Sequence, residues 1–244
     1  MKDNFSAQSK AYAAFRPKFP AELFQFINSH VKEFDLAWDA GTGNGQAAVQ
    51  LAPHFKKVYA TDISQNQIDN AEKASNITYV VEGAEASSLA TSSVDLVTVS
   101  QAIHWFDFDK FYDEARRVAK PGAILAAFAY SMFQAEDVEV NELIKNFYAA
   151  SSPYWDTERK YIDEGYQTIP FPFDEIETPS FQIKYRWTIE QVLGYIETWS
   201  ANQHHIKKFG TSLVSKGFTD ELRRLSSDQP IDLCFPVHMR MGRL

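Results

Sequence analysis

The chain has 244 residues, 45% hydrophobic and 23% charged, a composition suited to one large α/β domain with a sizeable core. Its 24 Lys and Arg against 32 Asp and Glu leave a formal net charge of −8, which argues against a protein built to clamp nucleic-acid phosphates. The longest apolar stretch, residues 123–130, falls far short of the ~20 residues of a membrane helix. No signal region is visible at the N-terminus, and the lone Cys234 rules out an intrachain disulfide and an all-thiolate metal site. The expectation is a cytoplasmic protein with no membrane or nucleic-acid partner and no metal; oligomeric state is not legible.

Short β-branched runs alternate with amphipathic stretches through the first 130 residues, the pattern of βαβ units and a parallel sheet. A helix is predicted over residues 20–34, with Leu23, Phe24, Ile27 and Val31 on one face. A strand at 36–40, a glycine turn and a helix at 46–52 follow. Strand two is 57–61, and Ser64 begins a helix with Gln67 at capping-box spacing. Strands three and four are 77–81 and 94–100; a helix at 108–118 stops before Pro121-Gly122; strand five is 123–130, apolar on both faces. Residues 135–175 are polar, helical in pattern and rich in aromatics, an insertion rather than a second domain. A strand at 181–187, a helix at 189–200 behind Thr188 and Gln191, and a last strand at 231–240 complete the chain. The organisation expected is one domain over 1–244, with an N-terminal cap segment at 1–34 and an aromatic lid at 131–178.

The most informative segment is LAWDAGTGNGQAAVQLA, where an apolar strand runs through Asp39 into Gly41, Gly43 and Gly45. Glycines let the backbone take positive φ and let a ligand come close to main-chain N–H groups. Asp62, ending strand two in YATDIS, follows Gly41 by about 20 residues, the separation expected of an acid that accepts ribose hydroxyls. A dinucleotide fingerprint requires GxGxxG/A, but Gln46 stands at the third place. Asp39 suits an ammonium group better than a pyrophosphate. The combination favours a nucleoside with a cationic amino-acid tail and no phosphates, S-adenosylmethionine.

With FRPKFP, WDAGTGNG, YATDIS, EGAEASSL, SQAIHWFD, RVAKPGAILA and ETWSANQ in this order, the sequence resembles the class I S-adenosylmethionine-dependent methyltransferases of the type-11 group, which includes trans-aconitate methyltransferase. The resemblance implies a Rossmann-like α/β fold with a seven-stranded, mostly parallel sheet in the order 3-2-1-4-5-7-6, the last strand antiparallel. It assigns Asp39, Gly41 and Gly43 to the methionine end of the cofactor. Asp62 takes the ribose, Ile63 packs on the adenine, Ala84 and Glu85 line the adenine edge, and Gln101 touches the methionyl part. S-adenosylhomocysteine would be the product.

On the acceptor side, SQAIHWFD places His104 and Trp105 at the end of strand four, beside the reacting centre. Trp105 reads as a wall and His104 as a hydrogen-bond donor or general base, or both as packing residues. Tyr12 and Arg16, in YAAFRPKFP, are acceptor contacts; Arg16 either forks an acidic substrate or pairs internally. Trp199, with Tyr154 and Trp155, could roof the site. His204-His205 is not a metal pair, because adjacent side chains on a helix diverge. Methyl transfer needs alignment above all, and an ionised carboxylate needs no base. The expected activity is methylation of a small molecule, a carboxylate by preference. An NAD-dependent oxidoreductase and a non-enzymatic S-adenosylmethionine-binding protein are the alternatives.

Overall fold

The structure is a computed structural model describing residues 16–244, so the expected contact Tyr12 lies outside the described residues. After α1 (Ala21–Ser29) the chain alternates β1 (Leu36–Ala40), α2 (Gln46–Leu51), β2 (Lys57–Asp62), α3 (Gln65–Asp69), β3 (Ile77–Val81) and β4 (Val94–Ser100). Next come α4 (Phe108–Val118) and β5 (Ala119–Tyr130), then β6 (Gln134–Ala135), α5 (Val138–Ala150), α6 (Arg159–Asp163) and β7 (Asp174–Glu175). The last elements are β8 (Phe181–Trp187), α7 (Ile189–Glu197), α8 (Ser200–Phe209), α9 (Lys216–Ser226) and β9 (Ile231–Arg243).

These strands form one sheet in the order β3-β2-β1-β4-β5-β9-β6, with β7 and β8 also paired to β9. The first five strands are parallel and β9 runs antiparallel to β5. Taking β8 and β9 as strands six and seven, the observed order is the expected one. The count is nine rather than seven because β6 and β7, two residues each, add short pairings to β9. So short a pairing leaves no period in the sequence.

Alternation along β5 explains the two layers. Ile124, Ala126, Phe128 and Tyr130 enter one core with Leu23, Phe24 and Ile27 of α1; Leu125, Ala127 and Ala129 enter the other with Trp38 and with Phe111, Tyr112 and Ala115 of α4. Both faces of the sheet are thus dry, and the loops at its carboxyl end lie together. Among the described residues, no helix is long and apolar enough to cross a membrane.

Several boundaries differ from expectation for local reasons. α1 stops at Ser29 because its end tightens: His30 and Val31 donate to the carbonyls three residues back, each at 3.1 Å, and Ser29 Oγ takes the Phe26 carbonyl at 2.7 Å. β5 starts at Ala119, where it pairs with Val94 before a register shift. Only half of the Ser64 capping box forms. Ser64 Oγ accepts from Gln67 N, but the Ser64 N–H is taken by Asp62 Oδ1 at 2.9 Å. The Thr188–Gln191 box is complete. The helix expected through residue 200 breaks after Glu197, where Thr198 Oγ1 donates to the Tyr195 carbonyl at 2.6 Å and Gln203 Nε2 to the Glu197 carbonyl at 2.7 Å.

Candidate active site

Above the carboxyl ends of β1, β2 and β4 lies a cavity bounded by the glycine turn, by the loop after β4 and by residues from α6 to α8. The turn is held from behind: Thr42 N donates to the Thr61 carbonyl at 2.9 Å, and Gly43 N to Asp62 Oδ2 at 2.9 Å. Gly41 and Gly43 both have left-handed backbones, at φ 69° and 55°. Their roles differ. A Cβ on Gly41 would lie 2.6 Å from Ala102 Cβ, so the turn and the β4 loop are pressed together there. A Cβ on Gly43 would meet nothing within 4 Å, which leaves its face of the turn open for a ligand. Substituting Gly41 would therefore disturb protein packing as well as any bound group.

Asp62 stands on the cavity wall next to Ile63. Both its oxygens already accept backbone N–H groups, from Gly43 and Ser64; carboxylate lone pairs remain for further donors. Asp39 sits behind the turn. It is fully buried and absent from the cavity lining, with Oδ2 accepting from Thr42 Oγ1 at 2.5 Å and Oδ1 from Thr98 Oγ1 at 2.8 Å. Its hydroxyl partner Thr42 does line the cavity. Burial lifts the Asp39 carboxyl from 3.8 to about 6, against the lowering pull of the two threonine hydroxyls. Ala84 and Glu85 also lie off the lining: Ala84 is buried in the second core, and Glu85 Oε1 accepts from Asp107 N at 3.2 Å.

The open face of Gly43, the Asp62 carboxylate and the apolar Ile63 fit a nucleoside with an amino-acid tail. Among the described residues the cations on the cavity wall are Arg16 and Arg159, whose charges bear on His104 of the loop after β4. Gln101, at φ 56°, bends that loop. Its N–H donates to the Phe128 carbonyl at 2.9 Å and its Nε2 to the Tyr130 carbonyl at 3.1 Å, and it lines the cavity. His104 and Trp105 follow in a single 3₁₀ turn, rings 4.9 Å apart, both on the wall. The His104 ring is buried with Nδ1 3.1 Å from the Tyr166 hydroxyl. Burial, helped by Arg159 and Arg16, pushes its pKa down to about 3. That is a neutral imidazole with little appetite for a proton, suited to hydrogen bonding and poorly matched to general-base work near pH 7.

Arg16 also lines the cavity, and its Nη1 donates to the Tyr130 hydroxyl at 3.0 Å. Trp199 does too, because the break between α7 and α8 sets it at the start of α8, 5.4 Å from the Trp155 ring. Sequence reasoning missed Arg159, Tyr195 and Thr42. Nothing local distinguishes Arg159 from its neighbours Glu158 and Lys160; only the fold turns it inward.

Two clusters away from the cavity are structural. Glu33, Asp35 and Asp95 come together as metal ligands might, but Lys120 Nζ sits among them at 2.7–3.1 Å. His204 and His205 each point Nδ1 at a different backbone carbonyl, of Tyr154 at 2.8 Å and of Thr211 at 2.7 Å, so the two rings diverge.

Comparison with known proteins agrees with this geometry. The methyltransferase-domain family matches residues 38–127, from β1 to β5. A protein of Dictyostelium discoideum named as a methyltransferase is 35% identical over 249 aligned residues, covering 99% of this chain and 95% of its own length. A solved structure from Anaeromyxobacter dehalogenans, described as a type II methyltransferase, is 37% identical with a TM-score of 0.85, covering 94% of this chain and 98% of that one. A Bacillus halodurans structure, 17% identical with a TM-score of 0.53 and covering 92% of this chain and 99% of that one, shares the fold. Cradle, sheet order and relatives agree, and the oxidoreductase alternative falls away: the chain belongs to the class I S-adenosylmethionine-dependent methyltransferases.

Proposed function

We propose that this methyltransferase acts on a small-molecule carboxylate, as the trans-aconitate type does, by O-methylation. The observation that carries the reading is the character of the acceptor side. It offers a guanidinium, Arg16, on the cavity wall, and its one imidazole there, His104, is held neutral at about 3. An acceptor that must lose a proton finds in His104 no base of suitable strength. An ionised carboxylate, with an ordinary pKa of ~4, needs none.

Bound S-adenosylmethionine supplies a sulfonium methyl that is already electrophilic. The chain's own residues then bind, orient and exclude water. Asp62 accepts the ribose hydroxyls while tethering Gly43, and Ile63 packs on the adenine. Gly43 gives the close approach, and Asp39 exerts its charge on the methionine end through Thr42. Ala84 and Glu85 shape the adenine side from behind, and Gln101 holds the loop that faces the methionyl part. Trp105 and Trp199 wall the acceptor, and the 131–178 segment covers it as a lid. Such alignment supplies ~7–11 kcal/mol of a two-body barrier.

The test is a comparison of Arg16→Ala with the wild type against a panel of carboxylic acids, with S-adenosylhomocysteine affinity measured in parallel. The expected result is a raised acceptor KM at unchanged cofactor affinity. An unchanged KM refutes Arg16 as an acceptor contact, and turnover confined to amines and phenols refutes the carboxylate reading.

A further inference from the structure

Arg159 lies outside the stretch that the methyltransferase-domain family matches, yet it faces the acceptor end of the cavity with His104, Trp105 and Trp199. Its Nε donates to the Tyr148 hydroxyl at 2.9 Å and to Asp163 Oδ1 at 3.1 Å. Its guanidinium lies 4.7 Å from the Trp155 ring centre and 5.6 Å from that of Tyr148. These contacts spend one edge and fix the plane, while the side chain keeps one fifth of its surface exposed (20%). Among the described residues none accepts from Nη1 or Nη2. The acids nearby are engaged elsewhere: Asp163 holds the Nε edge, and Asp156, also on the cavity wall, lies 3.9 Å from His204 Nε2.

A guanidinium clamped on one edge and offering its paired amino groups to an aromatic-walled space is built for two-point recognition of a carboxylate. The walls are flat: Trp155 and Trp199 lie 5.4 Å apart at 41°, and Trp105 faces the same space. We infer that Arg159 determines acceptor specificity, holding the acid group of a flat, aromatic carboxylate whose ring lies among these tryptophans. Its charge bears on the same His104 ring as that of Arg16. This inference rests on the carboxylate reading above and adds to it both the residue that selects and the shape of the body selected.

The test titrates benzoate, benzamide and cyclohexanecarboxylate into the protein, with and without saturating S-adenosylhomocysteine, following tryptophan fluorescence. Wild type is expected to bind benzoate about tenfold more tightly than either analogue. Arg159→Gln should erase the preference over benzamide and leave S-adenosylhomocysteine affinity unchanged. Arg159→Lys, which keeps the charge but not the fork, should lose about threefold or more of it, and it decides the matter if the Gln variant fails to fold. Equal binding of benzoate and benzamide by wild type, or a preference that survives both substitutions, overturns the inference. Cyclohexanecarboxylate bound as tightly as benzoate overturns its aromatic part. Failure of S-adenosylhomocysteine to bind counts against the cofactor reading instead, since the titrations without it stand alone.

Discussion

Replacing Asp39 by Asn should make the unliganded protein more stable and its cofactor affinity weaker. The carboxyl is fully buried, and its pKa in the fold stands at about 6 against 3.8 for an ordinary Asp. A raised carboxylate pKa means that the folded state holds its proton more tightly than the unfolded chain between those values. Stability from this group is therefore present at low pH and lost as pH rises through the window from 3.8 to about 6. The difference amounts to roughly 3 kcal/mol at neutral pH. Asn has the same shape, and the hydroxyls of Thr42 and Thr98, which now donate to Asp39, can rotate to serve an amide. The Asn variant should match wild type near pH 4 and exceed it at pH 7, with Tm higher by about 6–12 °C for a chain of this size. The S-adenosylhomocysteine-induced rise in Tm should shrink in the variant, because the ligand ammonium loses the charge behind Thr42. Thermal unfolding of both proteins across pH 4–8, with and without ligand, reads all of this. A variant less stable than wild type at pH 7, or a difference that does not grow with pH, refutes the argument.

Other expectations are read more simply. Asp62→Ala removes the acceptor for Gly43 N and Ser64 N together and with it the charged acceptor for both ribose hydroxyls; at ~1.5–3 kcal/mol for each hydroxyl bond, S-adenosylhomocysteine should bind at least about 100-fold more weakly by calorimetry. Gly43→Ala should lower cofactor affinity with a small loss of Tm, whereas Gly41→Ala, with its Cβ forced on Ala102, should lower Tm markedly. The reverse ranking of the two Tm losses would show that the turn is packed otherwise. Because His104 sits at about 3, kcat/KM for the acceptor should show no inflection near pH 6.5 that His104→Gln removes. The same burial withdraws stability as pH falls from 6.5 towards 3, since the unfolded chain binds the extra proton there.

What the sequence made legible was whatever is local and periodic. The strand LAWDA running into glycines, the apolar β4 and β5, and Thr188 with Gln191 each carry their structure in a few neighbouring residues. The order of the strands came instead from resemblance, because pairing between distant strands leaves no mark on either one. Asp39 shows where local reading stops. An acid at a strand end looks ligand-facing, but one of its two hydroxyl partners is Thr98 on β4, whose neighbourhood to β1 exists only in the fold. Trp199 faces the cavity because side chains cap the end of α7, and a helical pattern read straight through residue 200 conceals that corner. Arg159 sits in a polar helix where three successive charged residues look alike; its burial against Tyr148 and Trp155 is tertiary.

The pairing of β9 with β5, β6, β7 and β8 alike has a mechanical consequence. The short strands flanking the aromatic segment hang from the same rail that closes the main sheet, so that segment cannot part from the sheet without breaking pairings to β9. Backbone amides of β9 should then exchange with deuterium as one cooperative block.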